Sequence, residues 1–318
     1  MVDTRGVRGA AAIAVFWGWV AGACLCAAQV VPAWQSAVDH ATKAAPQARI
    51  VVLDSATGHL VASSHLAEAA RTLAYPGSAM KPLILYRLVA GGRWDPSYRI
   101  ACTRKLTIAG RALNCSHPAT PPMDAREALA WSCNTYFATE AATLERGQLR
   151  SLLAPTGLLG QTGLLGKTGL AGGVGNEAIA DFHDPQTADE NRLAVLGING
   201  VRVTPLEFAV AYRWLALQMA AHPDTQAAQV VRGGLEDSAS FGMAGAADMG
   251  GVPVAGKTGT ASSVAGGGGS THGWFICLAP AQQTSAIIVV YLPSGIGNGA
   301  AHVAAEILAH SPLRLGKP

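Results

Sequence analysis

A chain of 318 residues is long enough to bury a sizeable core in one large domain or two small ones. Half of it is hydrophobic and only 14% is charged, against about 25% for an average soluble protein. A net charge of +3 with no basic cluster gives no basis for a nucleic-acid partner, and none is expected.

Part of the apolar bias is local. Residues 10–31 carry no charge, and Arg5 and Arg8 precede them. Two readings of residues 1–31 stand side by side. Cys26, Ala27 and Ala28 offer small residues for signal-peptide cleavage before Gln29. The run is also longer than the ~7–15 residues of a signal core and close to the ~20 that span a bilayer, which suits a retained membrane anchor. No Lys or Arg follows until Lys43, so the positive-inside rule puts the rest of the chain outside the cytoplasm. The expected location is periplasmic, secreted or held at the inner membrane. Cys24 and Cys26 do not follow the Leu-Ala-Gly-like triplet of a lipoprotein.

Residues 32–47 read as an Ala-rich connector and residues 48–318 as one domain. Residues 49–54 and 59–63 are strand candidates around a turn. Pro76-Gly77 punctuates before Ser78, and Leu83, Leu85, Leu88 and Val89 continue an apolar helix. Cys102 and Cys115 flank a hairpin over residues 103–114 and stand open to two states, a disulfide or two thiols. Residues 124–131 and 135–144 read as two helical pieces broken at 132–134. Cys133 and Cys277 lie in apolar surroundings as small buried hydrophobes. Residues 155–175 loosely repeat Thr-Gly-Leu-Leu-Gly, a Gly-rich loop whose period is too short for a solenoid. Residues 252–256, 273–278 and 285–292 are three late strands, with 266–270 a flexible hairpin tip and 300–310 a terminal helix. Strands at both ends with helices between them predict an α+β domain whose termini meet in one sheet.

Three strings carry chemistry. Ser78-Ala-Met-Lys81 places a hydroxyl and an amine at i and i+3, on one helix face. A neutral Lys81 can then take the proton of Ser78 and make it a nucleophile. Ser132-Cys-Asn134 adds a hydroxyl that can relay a proton and an amide that can hold both the lysine and a substrate carbonyl. Lys257-Thr-Gly-Thr260, on a strand edge, offers Lys257, Thr258 and Thr260 to a carboxylate, while Gly259 leaves room for substrate against the strand. The N–H groups of Ser78 and Thr260 can form an oxyanion hole. The first two strings sit near chance frequency by themselves. Their fixed order gives them force.

Rival signals are weaker. Residues 251–258 fit G-x-x-x-x-G-K-[ST] letter for letter, but no apolar strand precedes them and no helix signal follows, so a nucleotide-binding P-loop is set aside. Lys167-Thr-Gly169 repeats the third triplet inside the Gly-rich loop and is read as coincidence. The nine histidines are scattered, none set with Cys, His, Asp or Glu at a zinc-like spacing, and His272 reads as a hairpin-end residue. No metal and no cofactor is expected.

The ordered strings, 54 and 125 residues apart, resemble the transpeptidase domain of penicillin-binding proteins. Val51-Val-Leu-Asp54 through Thr57-Gly-His-Leu-Val-Ala62 is similar to that family's opening hairpin, and Tyr75-Pro-Gly-Ser-Ala-Met-Lys-Pro82 to its nucleophile context. Leu196-Gly-Ile-Asn-Gly200, Val203-Thr-Pro-Leu206, Ala211-Tyr212, Gly273-Trp-Phe275 and Ala279-Pro280 extend the likeness across residues 48–310. The resemblance implies a five-stranded antiparallel sheet flanked by helices, with an all-helical lobe. It implies attack by Ser78 on a D-alanyl-D-alanine stem peptide, loss of the terminal D-alanine, and resolution of the acyl-enzyme by an amine. In that scheme Lys81 is the base, Ser132 the shuttle, Asn134 a substrate holder, and Lys257, Thr258 and Thr260 the carboxylate holders, with β-lactams as covalent inhibitors.

Several outcomes share these strings. A D,D-carboxypeptidase uses water in place of the amine, and a serine β-lactamase hydrolyses its acyl-enzyme. Asn134 and Thr260 depart from the class D β-lactamase pattern, and Glu140 and Glu145 lie too near the second string for the class A deacylating glutamate. A non-enzymatic β-lactam sensor stays open. The residues ahead of the domain hold no glycosyltransferase module, which leaves a membrane glycosyltransferase partner open as well.

Overall fold

The computed structural model describes residues 31–159, 177–264 and 269–315. Helix α1 (Pro32–Thr42) leads into strands β1 (Arg49–Asp54) and β2 (Leu60–Ser64), then the short helix α2 (Leu66–Ala69). A 3₁₀ turn (Gly77–Met80) runs into α3 (Lys81–Ala90), followed by the hairpin β3 (Thr107–Ile108) and β4 (Arg111–Ala112). Helices α4 (Ala125–Ala130), α5 (Asn134–Ala141) and α6 (Gln148–Leu153) follow, then β5 (Asp181–Phe182), α7 (Ala188–Val195) and β6 (Val201–Arg202). The long helices α8 (Pro205–Ala221) and α9 (Gln226–Ser240) precede β7 (Ala255–Ser262), β8 (Thr271–Ala279) and β9 (Ala286–Leu292). Helices α10 (Gly297–His310) and α11 (Pro312–Leu315) close the described chain.

One sheet organises these elements, in the order β2-β1-β9-β8-β7, with every neighbouring pair antiparallel. The first and last strands of the domain do meet: Val51 lies opposite Val289. The two-residue period of a strand divides its side chains between two cores. Val51, Leu53, Trp274, Ile276, Ile287 and Val289 face the helical lobe, with Leu83, Phe137, Phe208 and Tyr212. Ile50, Val52, Phe275, Cys277, Ile288 and Val290 face the other way, against Ala300, Ala304 and Ile307 of α10. Both faces are covered, so β9 is apolar throughout rather than alternating.

The expected connector is part of this second core. Pro32 opens α1 at a position where a missing N–H costs nothing. Trp34, Ala37, Val38 and Ala41, spaced 3, 4 and 7 residues from the first, form its buried stripe. Gln35 lies across the outer strand, where its amide donates to Ser63 O (3.0 Å) and accepts from Ser63 N (3.1 Å). Alanines that read as a tether are small side chains that let the helix approach the sheet closely.

The first late strand also differs in extent. Pairing starts at Ala255 rather than at residue 252 and runs through the whole Lys257–Thr260 string. Pro253, just ahead of it, has no N–H to give a ladder, and the small residues of β7 hide its alternation. The export segment before residue 31, most of the 155–175 loop with Lys167, and most of the 266–270 tip lie outside the described residues. No helix among the described residues is long and apolar enough to cross a membrane.

Replacing Trp34 with alanine tests whether α1 belongs to the domain. Denaturant unfolding should show a loss of about 3 kcal/mol, typical of a buried tryptophan; a loss under about 1 kcal/mol would make α1 the tether its composition suggested.

Candidate active site

The turn that carries Ser78 is clamped from three sides. The carbonyl of Tyr75 accepts from His272 Nε2 (2.7 Å) and Trp274 Nε1 (2.9 Å), both on β8. The hydroxyl of Tyr212, on α8, donates to Ala79 O (2.6 Å), and Gly77 N donates to Gly197 O (2.8 Å). The edge of β7 lies flush against the same turn. A Cβ on Gly259 would stand 2.5 Å from Pro76 O, and one on Gly77 would stand 2.6 Å from Thr260 O. The room that Gly259 was expected to leave for substrate is therefore filled by the nucleophile turn itself. Ser78, half-buried, is held between residues that touch Gly259 and Thr260.

Ser132 follows α4 in a left-handed conformation, φ 55°. Its N–H reaches Leu129 O (3.2 Å) and the N–H of Cys133 reaches Ala128 O (2.9 Å), the paired bonds of a Schellman turn. Glycine is the usual residue at that position, and a serine there costs about 1 kcal/mol of backbone strain. The turn reverses the chain so that Ser132 and Asn134 both face Lys81. Lys81 Nζ donates to Ser132 O (2.9 Å) and Asn134 Oδ1 (2.8 Å) and lies 3.4 Å from Ser132 Oγ. Lys257 Nζ donates to the same Ser132 hydroxyl (2.9 Å) and to Thr258 O (3.1 Å). One hydroxyl thus joins two amines that come from opposite ends of the domain.

Both lysines have no exposed surface. Burial pushes Lys81 down to about 8, with Cys133, Cys115 and Glu140 pulling weakly the other way. Burial, and then Lys81, push Lys257 well below the ordinary lysine range. Two carbonyl oxygens take two N–H groups of a neutral Lys81 and leave its lone pair for a hydroxyl proton. That is the form a general base needs. The amide of Asn134 is partly spent: its Nδ2 donates to Leu113 O (3.1 Å), which leaves one N–H for a ligand.

The third string divides between the two faces of β7. Lys257 and Gly259 face the nucleophile turn, whereas Thr258 turns its hydroxyl to Met243 O (3.4 Å), and only 7% of the residue is exposed. Thr258 shares its face of the strand with Thr260, and its hydroxyl is engaged by Met243 O. Thr260 is exposed, and its hydroxyl accepts from Gly297 N (2.9 Å), keeping its own proton to donate. Ser263 N donates across the ladder to Ser270 O (2.9 Å). By the two-residue alternation of antiparallel pairing, Thr258 and Thr260 turn their N–H groups outward from the free edge. The outward N–H of Thr260 and that of Ser78, in the first turn of a 3₁₀ helix, suit an oxyanion hole. A groove of about 400 Å³ runs along this edge between Thr260, Ser262 and Thr271 on one wall and Arg111 to Leu113 on the other.

Other features fall into place or drop out. A strand follows Lys257-Thr258, not a helix, so the P-loop lacks its phosphate cradle. Glu140 has a fully buried carboxyl with no hydrogen-bond partner among the described residues, and burial pushes it up to about 8. The thiols of Cys102 and Cys115 are free, their sulfurs 3.6 Å apart. They gather with Cys133 and His117 so that one donor atom from each lies within 4.8 Å of the others, which corrects the expectation that no histidine joins cysteines in a zinc-like set. Tyr212, His272 and Trp274 act through backbone carbonyls far away in sequence, so no local pattern marks them as supports of Ser78.

The family model described as "Penicillin binding protein transpeptidase domain" matches residues 48–311. Among curated proteins none matches the chain. Among solved structures, the transpeptidase domain of Burkholderia pseudomallei penicillin-binding protein 3 aligns at 20% identity with a TM-score of 0.71, over 90% of this chain and 95% of that one. A structure described as a peptidoglycan glycosyltransferase from Burkholderia ambifaria aligns at 20% identity with a TM-score of 0.74, over 91% and 98%. A chain of a peptidoglycan synthase complex aligns at 20% identity with a TM-score of 0.67, over 87% of this chain and 59% of that one. At these identities the likeness is one of fold.

A lysine whose folded-state pKa is lowered to about 8, from 10.5 when free, binds fewer protons folded than unfolded between those values. Its penalty is full below pH 8 and fades as the pH rises. The unfolding free energy of the wild type relative to Lys81→Met should therefore climb by about 3 kcal/mol across that window. A flat difference would contradict the buried setting of Lys81.

Proposed function

The chain belongs to the penicillin-binding protein transpeptidase domain family, and from that membership we propose that it is a D,D-transpeptidase acting on D-alanyl-D-alanine stem peptides of peptidoglycan. The observation that carries the reading is the Ser132 hydroxyl within reach of both Lys257 and Lys81, the latter three residues along the chain from Ser78. Lys81 takes the proton of Ser78 Oγ as that oxygen attacks the carbonyl carbon of the penultimate D-alanine. The N–H groups of Ser78 and Thr260 meet the oxyanion. As the C–N bond breaks, the proton passes from Lys81 through Ser132 Oγ to the departing D-alanine nitrogen, leaving an ester on Ser78. An acceptor amine then attacks the ester, gives its proton back along the same route and frees Ser78 with a new amide bond.

The terminal carboxylate of the donor meets the hydroxyl of Thr260 and the charge of Lys257. Burial disfavours a cationic Lys257 in the empty site; an arriving carboxylate restores the cation by direct attraction. Glu140 supports transfer over rapid hydrolysis. Its carboxyl is fully buried with no hydrogen-bond partner among the described residues, and burial raises it to about 8, so little of it is ionised at neutral pH to draw a proton from a deacylating water. The reading includes export: residues 1–31 carry the domain to the peptidoglycan side of the membrane, as a cleaved signal or a retained anchor. The aligned synthase-complex chain makes a membrane glycosyltransferase a reasonable partner to seek by co-purification.

Intact-mass measurement after incubation with benzylpenicillin should show a long-lived adduct on the wild type and none on Ser78→Ala. Rapid turnover with no adduct would indicate a β-lactamase, and no reaction would sink the acyl-serine reading. With a D-alanyl-D-alanine peptide, an added acceptor amine should appear in the product; release of D-alanine with water alone as acceptor would mark a carboxypeptidase.

Ser132 allows a second check. Ser132→Gly and Ser132→Ala should both acylate about 100-fold more slowly than the wild type, while the glycine variant is more stable than the alanine variant by about 1 kcal/mol. Undiminished acylation would remove the relay; equal stability would remove the strain.

A further inference from the structure

Beside the second motif, outside the acyl-transfer machinery, three thiols and an imidazole converge. We propose that Cys102, Cys115, Cys133 and His117 form a tetrahedral Zn²⁺ site that fastens the β3–β4 hairpin to the turn holding Ser132. The inference does not rest on the acyl-transfer reading and is tested without it.

The geometry is that of a nearly assembled ligand set. Four bonds of about 2.3 Å to sulfur and 2.0 Å to nitrogen, arranged tetrahedrally, separate neighbouring sulfurs by about 3.8 Å. Here the sulfurs of Cys102 and Cys115 are 3.6 Å apart, those of Cys115 and Cys133 are 3.9 Å apart, and all four donors fall within 4.8 Å of one another. The set is buried apart from Cys102, which is half-buried and gives a path for entry. Soft thiolates with one imidazole in this shape favour zinc among the common divalent ions.

Two further observations point to a ligand rather than to packing. The Nδ1 of His117 lies 2.7 Å from Pro118 O, which can only accept, so Nδ1 carries the proton and Nε2 carries the lone pair. That Nε2 is buried without a hydrogen-bond partner among the described residues, and His117 is 1% exposed. Each sulfur, moreover, accepts a backbone N–H: Cys102 from Arg104 (3.3 Å), Cys115 from Asn134 (3.1 Å) and Cys133 from Tyr136 (3.5 Å). Such bonds spread the charge of thiolates, and three neutral thiols have little need of them. The hydroxyl of Thr135 lies at the rim, 3.3 Å from the sulfur of Cys102, whose thiol donates to it, and 3.9 Å from that of Cys115.

Binding releases the thiol protons to solvent, so affinity should fall as the pH drops. The consequence for the fold is local. Cys133 lies between Ser132 and Asn134, and the N–H of Asn134 ends on Cys115, so the ion would pin both polar residues of the second motif to residues 102–117. The same hairpin supplies Leu113 O to Asn134 and one wall of the groove at Thr260.

The test uses the untagged full chain, reduced and freed of metal, then titrated with Zn²⁺ against a chromophoric chelator and separately with Co²⁺. The expected result is about one tightly held equivalent of zinc and a cobalt spectrum with the intense visible bands of tetrahedral thiolate coordination. Cys102→Ser and His117→Gln should each weaken zinc binding by about 100-fold or more. His310→Ala, which removes a ligand from the exposed group of His40, Glu306 and His310, should change nothing. Absence of a stoichiometric site in the wild type overturns the proposal, as does zinc binding indifferent to Cys102→Ser and His117→Gln. An as-purified chain with a closed Cys102–Cys115 disulfide that fails to bind zinc after reduction overturns it too. Should a variant fail to fold, the wild-type cobalt spectrum decides alone, since weak octahedral bands exclude three sulfur ligands.

Discussion

Two lysines with no exposed surface end on one serine hydroxyl, and most of the site can be understood from what that arrangement costs. A buried ammonium loses its hydration, and two such groups side by side repel each other. The pair relieves this by holding its protons less tightly, so burial lowers both lysines and brings Lys81 to about 8, within reach of a base's work. The remaining N–H groups need fixed acceptors, and Ser132 O, Asn134 Oδ1 and Thr258 O provide them. Reactivity and burial are the same fact here.

Holding that geometry requires rigid neighbours. The Schellman turn after α4 accepts a serine in a glycine conformation, a local strain tolerated because the hydroxyl is what the turn delivers. The nucleophile turn is fixed through its carbonyls by Tyr212, His272 and Trp274, and it meets β7 with no side chain between the two backbones. These supports come from α8, β8 and β7, which are brought together by the sheet order that pairs β8 with both β7 and β9. The four donors of Cys102, Cys115, His117 and Cys133 extend the same logic to the residue after Ser132.

What could be read from the sequence was local. The hairpin of β1 and β2, the apolar run of β9 and the break between α4 and α5 each announce themselves within a dozen residues. So do the three strings, because their chemistry lives in side chains set at fixed short spacings. The meeting of the first and last strands in one sheet followed from strands at both ends of the domain. What stayed hidden was set by distance in sequence. Trp34 and its alanines carry a helical stripe, yet nothing local says which surface covers it. Gly259 read as space for substrate because the backbone that fills the space lies some 180 residues earlier. His117 meets its sulfur neighbours only through the fold, which brings Cys102 and Cys133 to the Cys115–His117 segment from either side in sequence.

Lys81 is at the centre of this site, a fully buried amine whose burial lowers it to about 8 and which meets Lys257 at the Ser132 hydroxyl. NMR titration of the chain with ¹⁵N-labelled lysines reads it directly. One Nζ resonance should show a midpoint near pH 8 that vanishes in Lys81→Met, and a second, also well below the ordinary lysine range, should move up when Lys81 is removed. Lysines that all titrate in the ordinary range near 10.5 would contradict it.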